Sequence, residues 1–238
     1  MLAMAVECAH PPHLFNRVEP MLKLLERRML VFTLSRIAII IACIASVTNA
    51  ATGDEAENDI YRIEEDWEMK LNEPSSLQNS PQVTFFMKPD SQNDSAYFEL
   101  QMNHAIENDY SSGGFHVAAV LNEKYYDEAR SGTRQGLSVD TDTITWTNMI
   151  ALLNQKLFFA IKNGHCSDWG AFGGPEYLVQ MPAGDVCSLD AYQPEKSIAD
   201  LDIGYGGNRV LKLELKTIRG YYRDGHVETI ELNRQVER

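Results

Sequence analysis

Long apolar runs are missing from this sequence. The most apolar stretch, Ile37–Val47, reads IAIIIACIASV, about half of the roughly 20 residues that a membrane-spanning helix needs. Basic residues are also scarce: 21 Lys and Arg stand against 34 Asp and Glu, a net charge of −13 at pH 7. Five of the basic and three of the acidic residues fall in the first fifty, so from Ala51 onward 16 face 31, a net of −15. Such a chain is repelled by nucleic-acid phosphates and anionic headgroups, which excludes nucleic acid as a partner and suits a neutral or cationic one. Cysteine is rarer still, with four in 238 residues. Absent too are a His-Glu-x-x-His helix, a nucleophile elbow and a glycine-rich phosphate loop. Gly204–Gly207 precedes a strand pattern rather than a helix, so it is no phosphate cradle. No internal repeat, low-complexity tract or convincing helix is visible; Tyr125–Arg130 has the composition for one helical turn at most.

What is present begins with an address. Arg27, Arg28 and Arg36 precede the apolar segment, and Thr48-Asn49-Ala50 follows it. A positive n-region, a short h-region and a small-residue cleavage site define a secretory signal peptide over 29–50. Extending the apolar segment back to Met29 would bury Arg36 in the bilayer, at a cost of about 3 kcal/mol. Ile40-Ile41-Ala42-Cys43 resembles a lipobox, so acylation at Cys43 is a second reading of the same segment. Residues 1–28, with His10, Pro11, Pro12 and His13, are unlike a targeting sequence, and Met21 or Met29 is the candidate start. The protein is therefore expected to be exported, to the extracellular space, the periplasm or the cell surface, with no membrane span after processing.

Residues 51–58 form an acidic leader expected to be disordered, and 59–238 a single domain. Periodicity there is two. Tyr61, Ile63, Glu65, Trp67, Met69 and Leu71 alternate with Arg62, Glu64, Asp66, Glu68 and Lys70, the mark of a half-buried strand. Further strands are expected over 83–88, 96–103, 115–121, 143–148, 149–153, 156–162, 176–181, 199–203, 209–218, 221–223 and 227–232. In the second of these, Tyr97, Glu99 and Gln101 share one face. Asn154-Gln155 and Asp224-Gly225 read as hairpin turns, and Asn163-Gly164 as a strand end. About a dozen short strands at this spacing predict an all-β fold, an antiparallel two-sheet β-sandwich of jelly-roll type.

Three stretches carry a resemblance. They are Glu65-Asp66-Trp67-Glu68, the run from Ile144 through Gly164 to Trp169–Gly174, and Gly204–Val210 leading into Leu211–Leu215 and Tyr221–Gly225. Together they resemble a family of uncharacterised exported bacterial proteins, across nearly all of 51–238. The strand rhythm is similar to that of concanavalin A-like sandwiches, an architecture of lectins and glucanases. The first resemblance implies no activity, and fold analogy does not fix one.

Four groups of residues are candidates for chemistry. Glu64, Asp66 and Glu68 share one strand face, where crowding would push their pKa values apart, as glycoside hydrolysis requires. They resemble the acidic strand motif of the glucanases, from which Glu65 departs; the bland reading is the solvated face of an edge strand. Trp169, Phe172 and Tyr177 lie in a glycine-rich segment where aromatics could stack on sugar rings, or else pack in the core. Asp140 with Asp142, and Asp90 with Asp94, place hard oxygens in loops, fit for a structural calcium or for turn formation. Cys166 and Cys187 are expected to pair, closing a loop that stabilises by roughly 3 kcal/mol; the alternatives are free thiols, or a metal site with His165. No other cofactor is implied. The reading that results is a non-catalytic extracellular module for carbohydrate, its partner a polysaccharide or a cell-envelope component. A structural envelope protein and a glycosidase using Glu64, Asp66 and Glu68 are the alternatives.

Overall fold

A computed structural model describes residues 58–73, 81–103, 112–131, 134–135, 137, 139–204 and 206–236. All belong to one compact unit, Val47–Arg238. The signal peptide, the Cys43 lipobox and the leader to residue 57 lie outside the described residues, as does His104. Among the described residues no helix is long and apolar enough to cross a membrane.

The fold is an all-β sandwich of two antiparallel sheets. Its organising element is β1 (Ile60–Leu71). Ile63, Glu65, Trp67, Met69 and Leu71 are buried on one side, as the alternation predicts, while Arg62, Asp66 and Glu68 stay partly exposed on the other. The chain then builds most of a five-stranded sheet. It consists of β2 (Val83–Met87), β3 (Ala96–Met102), β5 (Phe115–Leu121), β6 (Lys124–Arg130) and the later β12 (Asp202–Ile203), in the order β12-β2-β3-β5-β6. Short β4 (Ser112–Gly113) and β7 (Arg134–Gln135) pair apart from it. The chain returns to the first sheet through β8 (Thr143–Leu153), β9 (Lys156–Cys166), β10 (Gly170–Phe172) and β11 (Val179–Pro182). It contributes β12 (Asp202–Ile203) to the second sheet and ends in β13 (Val210–Tyr222) and β14 (Val227–Gln235). The larger sheet runs β10-β9-β8-β1-β13-β14, with β11 also on β9.

Aromatic rings join the two sheets. Phe85 of β2 meets Trp67 at 5.2 Å and Trp146 of β8 at 5.0 Å, both edge to face, and the two tryptophans stack at 6.3 Å. Phe98 of β3 stacks on Phe159 of β9 at 5.4 Å. Such geometries add about 1 kcal/mol per pair beyond area burial.

Several expected boundaries shift. The segments 143–148 and 149–153 are one strand, as are 209–218 and 221–223. Asn154 and Gln155 have φ of 51° and 59°, the mirror-image turn that a two-residue hairpin favours. Asn163-Gly164 does not end its strand. Asn163 takes φ 55° where the β8–β9 register slips between Thr145 and Thr147, so the pair forms a bulge inside β9. A Cβ on Gly164 would lie 2.2 Å from the Phe172 ring, so only glycine fits there. Tyr125–Arg130 is strand, not a helical turn. A six-residue helix, Pro194–Ala199, falls where none was expected; it has proline in its first turn and is too short to show a helical period.

Candidate binding face

The acidic strand residues are not at a sheet edge. β1 lies between β8 and β13, and Glu64 is 2% exposed. Its partners come from β13, from β9 and from β1 itself. Arg219 of β13 donates to Glu64 through Nε at 3.3 Å and Nη2 at 3.2 Å. The Tyr221 hydroxyl donates to Glu64 at 3.1 Å, Lys162 of β9 donates as well, and Arg62 Nε lies 3.5 Å away. Arg219 also holds Asp66, through Nη1 and through Nη2 at 2.8 Å, and Thr147 donates to Asp66 at 2.7 Å. Arg62 lies 3.5 Å over the Tyr221 ring. Glu68 sits apart, 3.5 Å from Lys212. Burial raises the pKa of Glu64 and Asp66, but these bonds and charges outweigh it and hold both below the usual range. Their pKa values are therefore not pushed apart, and neither is a proton donor at neutral pH. Glu64 and Asp66 form a cation-clamped network, with Glu68 apart, rather than an acid and nucleophile pair.

On β1 the carboxyl that is pushed up, to about 7 by burial, is Glu65. It faces the interior, fully buried, and accepts from Trp67 Nε1 at 3.0 Å and from the Tyr192 hydroxyl, which also meets Ser197 Oγ at 2.9 Å. This cluster ties β1 to the segment containing the short helix.

The aromatic loop is core, not a platform. Phe172 and Tyr177 are buried and Trp169 half-buried. Phe115 gathers all three, at 4.9, 5.4 and 4.8 Å respectively. Cys166 and Cys187 are not bonded to each other. Cys166 points into the core, where its sulfur accepts from the Trp169 amide at 3.4 Å and burial pushes the thiol up to about 11. Cys187 is exposed in the loop beyond β11. Three of the four calcium candidates are likewise engaged by other partners. Asp142 is buried and accepts from the Ser167 amide at 3.0 Å and its hydroxyl at 2.7 Å; Asp140 is exposed and contributes no third ligand. Asp90 caps the Gln92 amide at 2.8 Å and Asp94 binds Lys88 at 2.6 Å. Among the described residues no three His, Cys, Asp or Glu converge as metal ligands.

The surface with mixed aromatic and polar character is the outer face of the five-stranded sheet. Register sets Phe86 opposite Glu99 opposite Ala118 opposite Glu128, from β2 to β6. The neighbouring rows are Tyr97, Val120 and Tyr125, then Thr84, Gln101, His116 and Arg130. Buried Ala118 and Val120 form the floor. Phe86 and Tyr97 meet edge to face at 5.8 Å, and Tyr125 meets His116 at 5.3 Å. Tyr125 stays 55% exposed, with Tyr126 beside it at 56%. The slip between Ala119 and Val120 makes Tyr126 the extra residue of a bulge, which returns Tyr125 to this face.

Two carboxyls on this face are driven in opposite directions. Glu99, 7% exposed, is raised by burial, against a bond from Gln101 and the charge of His116. Glu128 is lowered by hydrogen bonds from His116 and Arg130, each at 3.1 Å. Burial and the nearby Glu99 raise the phenols of Tyr97 and Tyr125. Of these residues, the shared face of Tyr97, Glu99 and Gln101 is visible in the sequence; the bulge conceals Tyr125.

No protein-family model matches the chain, and no curated protein matches it. Among solved structures it is similar to the crystal structure of scytalido-glutamic peptidase with a transition state analog inhibitor. That likeness has 6% identity over 76% of this chain and 79% of the other, with a TM-score of 0.24. The class that stands is an all-β sandwich with an aromatic and polar sheet face.

Proposed function

We propose that the protein is an exported, non-catalytic binding module for carbohydrate, and that its contact surface is the outer face of the five-stranded sheet. The observation that carries this reading is Tyr125, 55% exposed on the same face as Tyr97, Phe86, Gln101, His116 and Glu128. Sugars present apolar C–H faces that lie on aromatic rings, and hydroxyls that bind planar carboxylates, amides and imidazoles. A sheet face supplies both in rows about 4.8 Å apart. Binding to a polysaccharide panel tests the reading. Tyr125→Ala should weaken Kd about three- to tenfold, the loss of one aromatic contact, with the melting temperature unchanged. A panel that stays silent, with self-association in solution, would favour a structural envelope protein.

One observation favours a second reading, glycoside hydrolysis. It rests on Glu99 and Glu128, whose pKa values are displaced upward and downward, the pattern of an acid with an ionised partner. Release of reducing sugar that Glu99→Gln abolishes would establish it. Substitution at Glu64 should leave such turnover intact.

A further inference from the structure

We propose that the ligand of this face carries a protonated amine, as in a polymer of glucosamine with free amino groups, and that Glu99 is the residue that selects it. This deepens the carbohydrate reading and rests on it. Glu99 is 7% exposed, yet among the described residues no lysine or arginine pairs with it; Gln101 Nε2 is its donor, and the nearest positive charge is that of His116, which also bonds Glu128. Glu128, two strands away, already has Arg130 at 3.1 Å. A desolvated carboxylate without a cation is costly, and a bound ammonium would offset that cost.

The surroundings are those an ammonium prefers. Phe86 lies across from Glu99 in register, Tyr97 precedes it on the same face, and Tyr97 and Tyr125 both sense its charge. Aromatic rings beside a carboxylate attract a cation through their negative faces. Near Tyr97 the negative charges of Glu99 and Glu123 outweigh that of Lys88, and the chain as a whole is acidic, which draws in a polycation. A neutral glycan would cover Glu99 without adding a cation to Gln101 and His116, and an anionic one would be repelled. The aromatic rings account for the sugar's C–H faces and Glu99 for its amine.

The test titrates the full protein with chitosan oligomers and with fully N-acetylated oligomers of the same length. The amine form should bind at least about tenfold tighter. Glu99→Gln should erase that preference while binding of the acetylated form and the melting temperature hold, and Glu128→Gln should keep it. Equal or tighter binding of the acetylated oligomer overturns the inference and leaves the carbohydrate reading standing. A linear polyamine without sugar, binding as tightly as chitosan, overturns the carbohydrate reading and keeps the role of Glu99. No binding of either oligomer overturns the inference, and a polysaccharide panel that is silent as well overturns the carbohydrate reading.

Discussion

Glu65 shows how one residue can set the pH response of a fold. Its carboxyl is fully buried on β1, with Trp67, Tyr192 and Ser197 around it and neutral Asn148 and Ile218 opposite in register. Burial moves its pKa from an ordinary 4.5 to about 7. A carboxyl raised in the folded state stabilises below its unfolded pKa, where it is protonated in both states, and that stability is lost as pH rises through the folded value. The loss should fall between about pH 4.5 and pH 7, and amounts to ~3 kcal/mol by the size of the shift. Glu65→Gln keeps a neutral partner for Tyr192 and removes the ionisation. Denaturant unfolding at pH 5 and pH 8 should then differ less in this variant than in the parent. At pH 8 the variant should be the more stable of the two, and equal pH slopes in both proteins would refute the assignment.

At the scale of elements, the bulge in β9 is held by a contact that tolerates one residue type. The Phe172 ring of β10 occupies the space where a side chain at Gly164 would begin, 2.2 Å from an ideal Cβ. Phe172 is itself pressed by Phe115 and Trp169, so it has nowhere to yield. Gly164→Ala should cost about 1–3 kcal/mol, the range for overpacking. Combined with Phe172→Ala it should cost much less than the two single changes together, because the clash and the ring vanish at once. Additive losses in the double-mutant cycle would exclude this contact as the cause. The bulge also marks where sequence reading stops. Asn163-Gly164 carries a positive-φ signal equally suited to a turn or a bulge, and which one forms depends on β8 lying alongside. Alternation placed Trp67 inward and Glu64 outward correctly, since parity belongs to one strand. Whether β1 is an edge depends on β8 and β13, which lie some 80 and 150 residues further along. The binding face has the same difficulty: Glu99, His116 and Tyr125 meet only through pairing, and the bulge at Tyr126 breaks the local alternation.

At the scale of the molecule, the two sheets are joined by rings that neither sheet could bury alone. Phe85 comes from the five-stranded sheet, and Trp67 and Trp146 from neighbouring strands of the larger one. All three are nearly inaccessible to solvent. Removing Phe85 therefore acts on the contact between layers and not on either ladder of hydrogen bonds. Phe85→Ala should lower stability by about 3–5 kcal/mol, the cost of losing a buried aromatic and leaving a cavity. Because the sheets bury one shared core, the variant should still unfold in a single transition, with tryptophan fluorescence and far-UV circular dichroism coinciding. Separated transitions would mean that one sheet persists without the other. Phe86, the next residue, points to the opposite face and packs on Tyr97. Phe86→Ala should therefore leave the fluorescence of the buried tryptophans unchanged and cost far less stability. The contrast between two adjacent phenylalanines separates the residues that hold the sandwich together from those that line its outer face.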